Sequence, residues 1–401
     1  MIDYEDALRR VIARAKPFPG ESVPLTRSLG RTLARNIRAR APIPPFAKAT
    51  MDGYAVRSED TGPAEPGRPV ELEVIEDLPA GRVSRKVLSS GRAVRIMTGA
   101  PLPAGADAVV MVEDTEKADA RVKIFRAVSP GDNIGRAGED LEKGDLILEK
   151  GELVGPAEVG MLAALGISAV RVVRRPKLAV IATGDEIVEP GEKAGPGRIW
   201  NSNGYSLLAL ALEAGAEVRY LGIARDRASE LKRKFRMAGD MDILTVSGGV
   251  SVGDYDLVKE ELGRLGVRPV FWQLRIKPGK PTFFGVRGRQ LVFGLPGNPT
   301  SAMVMFHLFV RPAIDRMLGR KQTGLRGGQA VLEQEISVRP GRTQFLRGRL
   351  IGDGPVLRVE PFPDQRSGVL RSMVKSRVLI VVPAELSRLE KGREVNILFL
   401  D

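Results

Sequence analysis

The chain has 401 residues, 28% of them charged and 43% hydrophobic, with a formal net charge of +13; at about 150 residues per domain this length allows two to four domains. There is no cysteine and a single histidine, His307, which excludes disulfides, thiol nucleophiles, Cys/His zinc sites and Ser-His triads, so any metal must be held by oxygen. No stretch approaches the roughly 18 uninterrupted apolar residues of a membrane span. The 62 Lys and Arg are interleaved with 49 acidic residues along the whole chain, without a long basic tract carrying aromatics, so the charge reads as a solvated surface attracting small anions, with no nucleic acid and no membrane as partner.

In chain order, residues 4–15 (YEDALRRVIARA) place Ala7, Leu8, Val11 and Ile12 on one helical face. The acidic-then-basic start is unlike a signal peptide and points to a cytoplasmic protein. From about residue 40 to 138 the text turns to short alternating stretches broken by Pro and Gly, the pattern of a small β domain. PAEVGMLAALGI at 156–167 returns to helical periodicity, with Pro156 suited to a first turn and Gly166 to the stop. The β domain at 40–138 therefore reads as inserted into a split helical domain, 1–39 and 139–175. Strands and helices then alternate over 176–323, the rhythm of a doubly wound parallel sheet. His307 falls in the apolar run SAMVMFHLFV and reads as a core-packed helix residue, and 324–401 reverts to short strands that predict a terminal β barrel.

Three glycine-punctuated loops carry the chemistry: SGGVSVGDYD at 247–256, KPGKP at 277–281 and GLPGNP at 294–299. Each follows an apolar, strand-like run, which places all three turns at one edge of the sheet, where open α/β sheets bind ligands. Gly248 and Gly249 allow close backbone approach, Ser247 and Ser251 offer hydroxyls, and Lys277 and Lys280 sit on a stiff turn suited to phosphate. Of the carboxylates in that first loop, Asp254 suits a helix cap and Asp256 a metal or water ligand. In ATGDEIVEPG, Asp185 and Glu186 can point into the crevice, Asp185 equally suiting a cap of the next helix; Asn201, Ser202 and Asn203 look like caps first and ligand contacts second. The β domain adds Asp52 in a tight turn and Thr98 in MTGAPLP, and RAGEDL at its end adds Glu139 and Asp140.

Together, PPFAKATMDGYAV, MTGAPLPAGADAVVMVED, AGEDLEKGD, TGDEIVEPG, SGGVSVGDYDLVK, KPGKPTFFG and GLPGNPTSA resemble, in order and spacing and over nearly the whole chain, the molybdopterin molybdenumtransferases of the MoeA family, related to the gephyrin E domain. The resemblance implies a multidomain α/β plus β protein whose central domain is similar to molybdopterin adenylyltransferase. It implies a homodimer, with the adenylyltransferase as a possible donor of substrate. The implied reaction inserts molybdate or tungstate into adenylylated molybdopterin with Mg²⁺-dependent release of AMP. Asp256 and Glu186 would hold Mg²⁺, Lys277 and Lys280 the phosphate or oxyanion, and Asp52, Thr98 and Asp140 would complete the site from the β-domain side. Ser247, Gly248, Gly249, Ser251, Pro281, Pro296, Gly297 and Asn298 would line the substrate site, with Arg347, Ser367 and Ser372 approaching from the barrel. Asn201 stands where an Asp is common in the family, and Gln273 where some members have Lys. A nucleotide- or RNA-binding module and a non-catalytic scaffold of the same fold are the rivals; the site carboxylates and lysines favour an enzyme.

The chain has only 6 Asn and 7 Gln, a balance associated with heat-adapted proteins. This predicts a calorimetric midpoint above the roughly 45–65 °C range of mesophilic domains, and a midpoint inside that range refutes it.

Overall fold

The structure is a computed structural model that describes residues 1–249, 257–352 and 356–400. Two compact units emerge: Met1–Arg35 with Lys150–Val159 and Ala169–Asp401, and Asn36–Glu149 with Gly160–Ser168.

The larger unit opens with helix α1 (Tyr4–Arg14), whose Ala7 and Val11 are buried as the periodicity requires. Strand Gly20–Pro24 pairs antiparallel with Ala169–Val173, so chain segments from before and after residues 36–149 lie side by side. Next come β1 (Lys177–Thr183), α2 (Ser202–Glu213), β2 (Glu217–Ala224), α3 (Ala228–Met237), β3 (Ile243–Ser247), α4 (Leu257–Arg264), β4 (Arg268–Trp272), β5 (Phe283–Arg287), β6 (Gln290–Leu295), α5 (Pro299–Met305) and α6 (Arg311–Met317). The strands form one sheet in the order β2-β1-β3-β6-β5-β4. The first four are parallel, and β5 and β4 return antiparallel. Because β4 runs in the direction of β6, the turn after it opens at the same edge as those after β1, β3 and β6.

Alternation along β1 explains the sandwich. Leu178 and Val180 join a core with α1, α2, α5 and α6, whereas Ala179 and Ile181 face a second core with α3 and α4. Strands covered on both faces read as continuous apolar runs. Between α5 and α6 lies a π-turn, Phe306–Val310, that contains the buried His307. Pro312, two residues past the turn, has no N–H to donate, and the wide turn absorbs the break in the ladder. Burial lowers the His307 pKa to about 4, leaving the ring neutral at pH 7.

Five strands, β7 (Gly327–Leu332), β8 (Thr343–Ile351), β9 (Arg358–Pro361), β10 (Val378–Val382) and β11 (Glu394–Phe399), close on themselves in the order β8-β9-β7-β11-β10-β8. Leu332, Val359, Val378, Ile380 and Ile397 fill this barrel. The short strand Ile276–Lys277 pairs parallel with the start of β8, which ties the KPGKP turn to the barrel. The smaller unit is built on a six-stranded sheet that includes Gly53–Val56 and Arg92–Ile96, with Tyr54 and Val56 in one cluster and Ala55, Val94 and Ile96 in another. The α/β plus β architecture expected from the sequence is thus found.

Phe284 is fully buried, its ring centroid 4.9 Å from that of Phe293 and 5.5 Å from that of Phe271. Phe284→Ala is expected to destabilise the larger unit by about 3–5 kcal/mol, measured by denaturant unfolding.

Candidate active site

Where β1, β3 and β6 end, their ladders release the backbone and the chain turns outward. A cavity of about 460 Å³ lies there, walled by Thr183, Gly184 and Glu186 after β1, Asp226 after β2, Ser247–Gly249 after β3, Pro296–Pro299 after β6, and Ile199–Asn203 at the head of α2. The wall is tight at its base. A Cβ on Gly248 (φ +95) would stand 2.5 Å from the Thr183 carbonyl oxygen, and one on Gly249 (φ +63) would stand 2.4 Å from Val258 Cγ2. Only glycine meets both demands.

The carboxylates collect on one side. Arg225 Nη1 donates to the carbonyls of Asp185 at 3.0 Å and Ile187 at 2.7 Å, holding the turn that presents Glu186. No helix follows Asp185 directly; its Oδ1 accepts from Asp226 N at 3.2 Å instead. Burial, then the charges of Asp185 and Glu186, raises the Asp226 pKa. Crowded oxygen donors of this kind suit a hard divalent cation that takes one or two carboxylates and completes its shell with water and phosphate. Among the described residues no three carboxylates converge into a cage. Ser251, Asp254 and Asp256 lie outside the described residues.

A second cavity, about 680 Å³, adjoins the first through Pro281, Pro296 and Asn298. Lys277, Lys280, Arg342 and Ser367 line it, with Asp364 and Arg366. The Asp364 carboxylate is held by Arg366 Nε at 3.0 Å and Nη2 at 2.6 Å, and these bonds pull its pKa down to about 2. With that pair neutralised, Lys277, Lys280 and Arg342 leave the cavity positive. Arg342 gave no signal in the sequence beyond the proline-glycine turn before it. Asp226 could have been found by the rule that pointed to Glu186, since it too follows a parallel strand at its C-terminal end.

Three placements differ from expectation. Arg347 and Ser372, expected to approach the oxyanion or pterin, are 1% and 0% exposed and line neither cavity. Arg347 Nε donates to Ser372 Oγ at 3.1 Å and its Nη2 to the Asp364 and Arg366 carbonyls at 3.2 and 3.1 Å, while Ser372 Oγ donates to Val369 O at 2.6 Å. They shape the Ser367 loop from behind. Ser247 does line the first cavity, but its hydroxyl accepts from Asn203 Nδ2 at 2.7 Å and donates to Pro296 O at 3.3 Å. Asn201 is a helix cap as expected, its Oδ1 accepting from Gly204 N at 2.9 Å and its Nδ2 donating to Tyr220 Oη at 2.6 Å. Gln273, at φ 74, lines neither cavity.

In the smaller unit, Asp52 Oδ1 accepts from both Thr98 N and Thr98 Oγ1 at 2.7 Å, and Asp140 is exposed. The two bonds from Thr98, the backbone one first, lower the Asp52 pKa. Their contribution is therefore present above the ordinary carboxylate pKa and lost as the pH falls through the lowered one.

Residues 2–166 match the MoeA N-terminal region (domain I and II), 179–316 a probable molybdopterin-binding domain, and 329–400 the MoeA C-terminal region (domain IV). The chain is 37% identical to the molybdopterin molybdenumtransferase of Bacillus subtilis over 100% of its own length and 94% of the relative's. It is 36% identical to molybdopterin molybdenumtransferase 2 of Mycobacterium tuberculosis over 98% of both chains. A solved molybdopterin biosynthesis MoeA protein from Pyrococcus horikoshii superposes with a TM-score of 0.87 at 37% identity, covering 100% of this chain and 99% of that one. The α/β fold and the family matches together define a protein of the molybdopterin-handling kind. The chain belongs to the MoeA family of molybdopterin molybdenumtransferases.

Thr98→Val removes the hydroxyl donor and keeps the backbone one, so an NMR titration is expected to move the Asp52 pKa part of the way up toward the usual value of about 4; an unmoved pKa refutes the hydroxyl's share of the effect.

Proposed function

We propose that this protein is an enzyme of molybdenum cofactor biosynthesis that inserts the metal of molybdate into adenylylated molybdopterin and releases AMP. The observation that carries the reading is the adjacency of two cavities of opposite character, a carboxylate-rimmed one and a cationic one, sharing Pro281, Pro296 and Asn298. Family membership supports molybdenum insertion, and the charges suggest how the work is divided.

The first cavity takes the adenylylated pterin. The glycine backbone at 248–249 lets a phosphoanhydride approach closely, and Ile199 and Trp200, both more than half exposed, supply apolar surface for a heterocycle. Glu186 and Asp226 would hold Mg²⁺, whose charge offsets that of the phosphates, with Asp256 as a further ligand. Lys277, Lys280 and Arg342 bind molybdate or tungstate, which share charge and shape, and neutralise the charge that develops as AMP departs. Arg347 and Ser372 keep the loop carrying Ser367 in place. The site is completed in a homodimer, with Asp52, Thr98 and Asp140 supplied by the second copy, in the cytoplasm; a molybdopterin adenylyltransferase is the source of the substrate.

The direct test is single-turnover AMP release from adenylylated molybdopterin with Mg²⁺, comparing no oxyanion, molybdate and tungstate. Oxyanion-dependent release is expected, and no release under any condition would move the assignment to a binding or scaffold protein. Lys280→Ala is expected to raise the half-saturating molybdate concentration about tenfold while pterin binding stays near wild type. The reverse ordering contradicts the division of roles.

A further inference from the structure

Three arginines from distant parts of the larger unit meet away from both cavities. Arg31 Nη2 donates to Val173 O at 3.0 Å and pairs with Glu21. Arg320, just past α6, donates through Nη1 to Asp315 Oδ1 at 2.6 Å, and its Nη2 lies where a Cβ on Gly215 would approach to 3.0 Å. Arg175 is near enough to both to feel their charges. It is two residues beyond Val173, and the carbonyl of its neighbour Pro176 accepts from Glu217 N at 2.9 Å, two residues beyond Gly215.

The pairing is incomplete. Arg31 and Arg320 each hold a carboxylate, whereas the Arg175 side chain makes no ion pair or hydrogen bond among the described residues. The Nε–H groups of all three are buried without a partner. Burial first, then the charges of Arg31 and Arg320, lowers the Arg175 pKa despite the opposing influence of Glu21 and Glu217. Arg174 offers no relief to the cluster and takes no part in it, since its guanidinium is forked onto Asp242 at 2.8 and 3.0 Å and lies 3.7 Å from the centroid of the Phe18 ring. A half-buried guanidinium flanked by two others and lacking its own acceptor is an unmet demand for negative charge.

We propose that Arg31, Arg175 and Arg320 form a binding site for a small inorganic oxyanion of the phosphate class, separate from both cavities. A tetrahedral oxyanion presents several acceptor oxygens and matches the planar fork of arginine. Bound there, it would tie together the turn that carries Arg31, the segment entering β1 and the end of α6.

The test is thermal unfolding and calorimetric titration with inorganic phosphate at constant ionic strength. Wild type is expected to gain stability saturably. Arg175→Met should bind phosphate at least about tenfold more weakly, whereas the Lys277→Ala/Lys280→Ala double variant should keep the response. A wild-type response in Arg175→Met, its loss in the double-lysine variant instead, or no saturable response in wild type would each overturn the proposal. Should Arg175→Met not fold, Arg31→Lys keeps the charge opposite Glu21 but loses the fork. Its phosphate affinity should fall several-fold, and an unchanged affinity overturns the assignment.

Discussion

The site depends on strands β1, β3 and β6 being buried on both faces. With Leu178, Val180 and Phe293 committed to one core and Ala179, Ile181 and Val246 to the other, polar side chains buried along the strands are tied to the fold itself, as Thr245 is by donating to Ala179 O at 3.0 Å, and the strands' N–H and C=O groups are consumed by the parallel ladder. Free polar groups appear only where the ladder stops. The strands stop together, so Thr183–Glu186, Ser247–Gly249 and Pro296–Pro299 face one another across a single cavity. The antiparallel return through β5 and β4 adds the lysine turn to the same edge.

Electrostatics then divides that edge. Carboxylates of Glu186 and Asp226 rim one cavity, and Lys277, Lys280 and Arg342 line the other. In both halves an arginine outside the cavity does the positioning. Arg225 gathers the carbonyls of the Glu186 turn, and buried Arg347, its pKa lowered to about 10, gathers those of the loop before Ser367. A guanidinium can do this because its fixed fork of donors spans successive carbonyls.

Much of this was legible in residue patterns. The α1 face, the cap at Asn201, the core location of His307 and the glycines that crowd Thr183 and Val258 follow from local rules about period, capping and backbone freedom. The side-chain partners that stayed illegible share a cause. Arg347, Ser372 and Ser247 carry groups that suit an anion, and their sequence context does not reveal that other residues of the fold already bond those groups. Arg342 was overlooked for the opposite reason, since little beside it in sequence hints that it looks into a cavity, whereas Asp226 stands at the end of a parallel strand where the rule that pointed to Glu186 applies as well.

The sequence by itself determined the alternation of strands and helices, the glycine turns at strand ends and the family, because these rest on short-range periodicity and on motifs that survive as contiguous text. Which polar side chains remain free was decided only by the tertiary structure. A hydrogen bond such as that from Arg347 to Ser372, or the gathering of Arg31, Arg175 and Arg320, joins residues brought together only when the barrel and the sheet close.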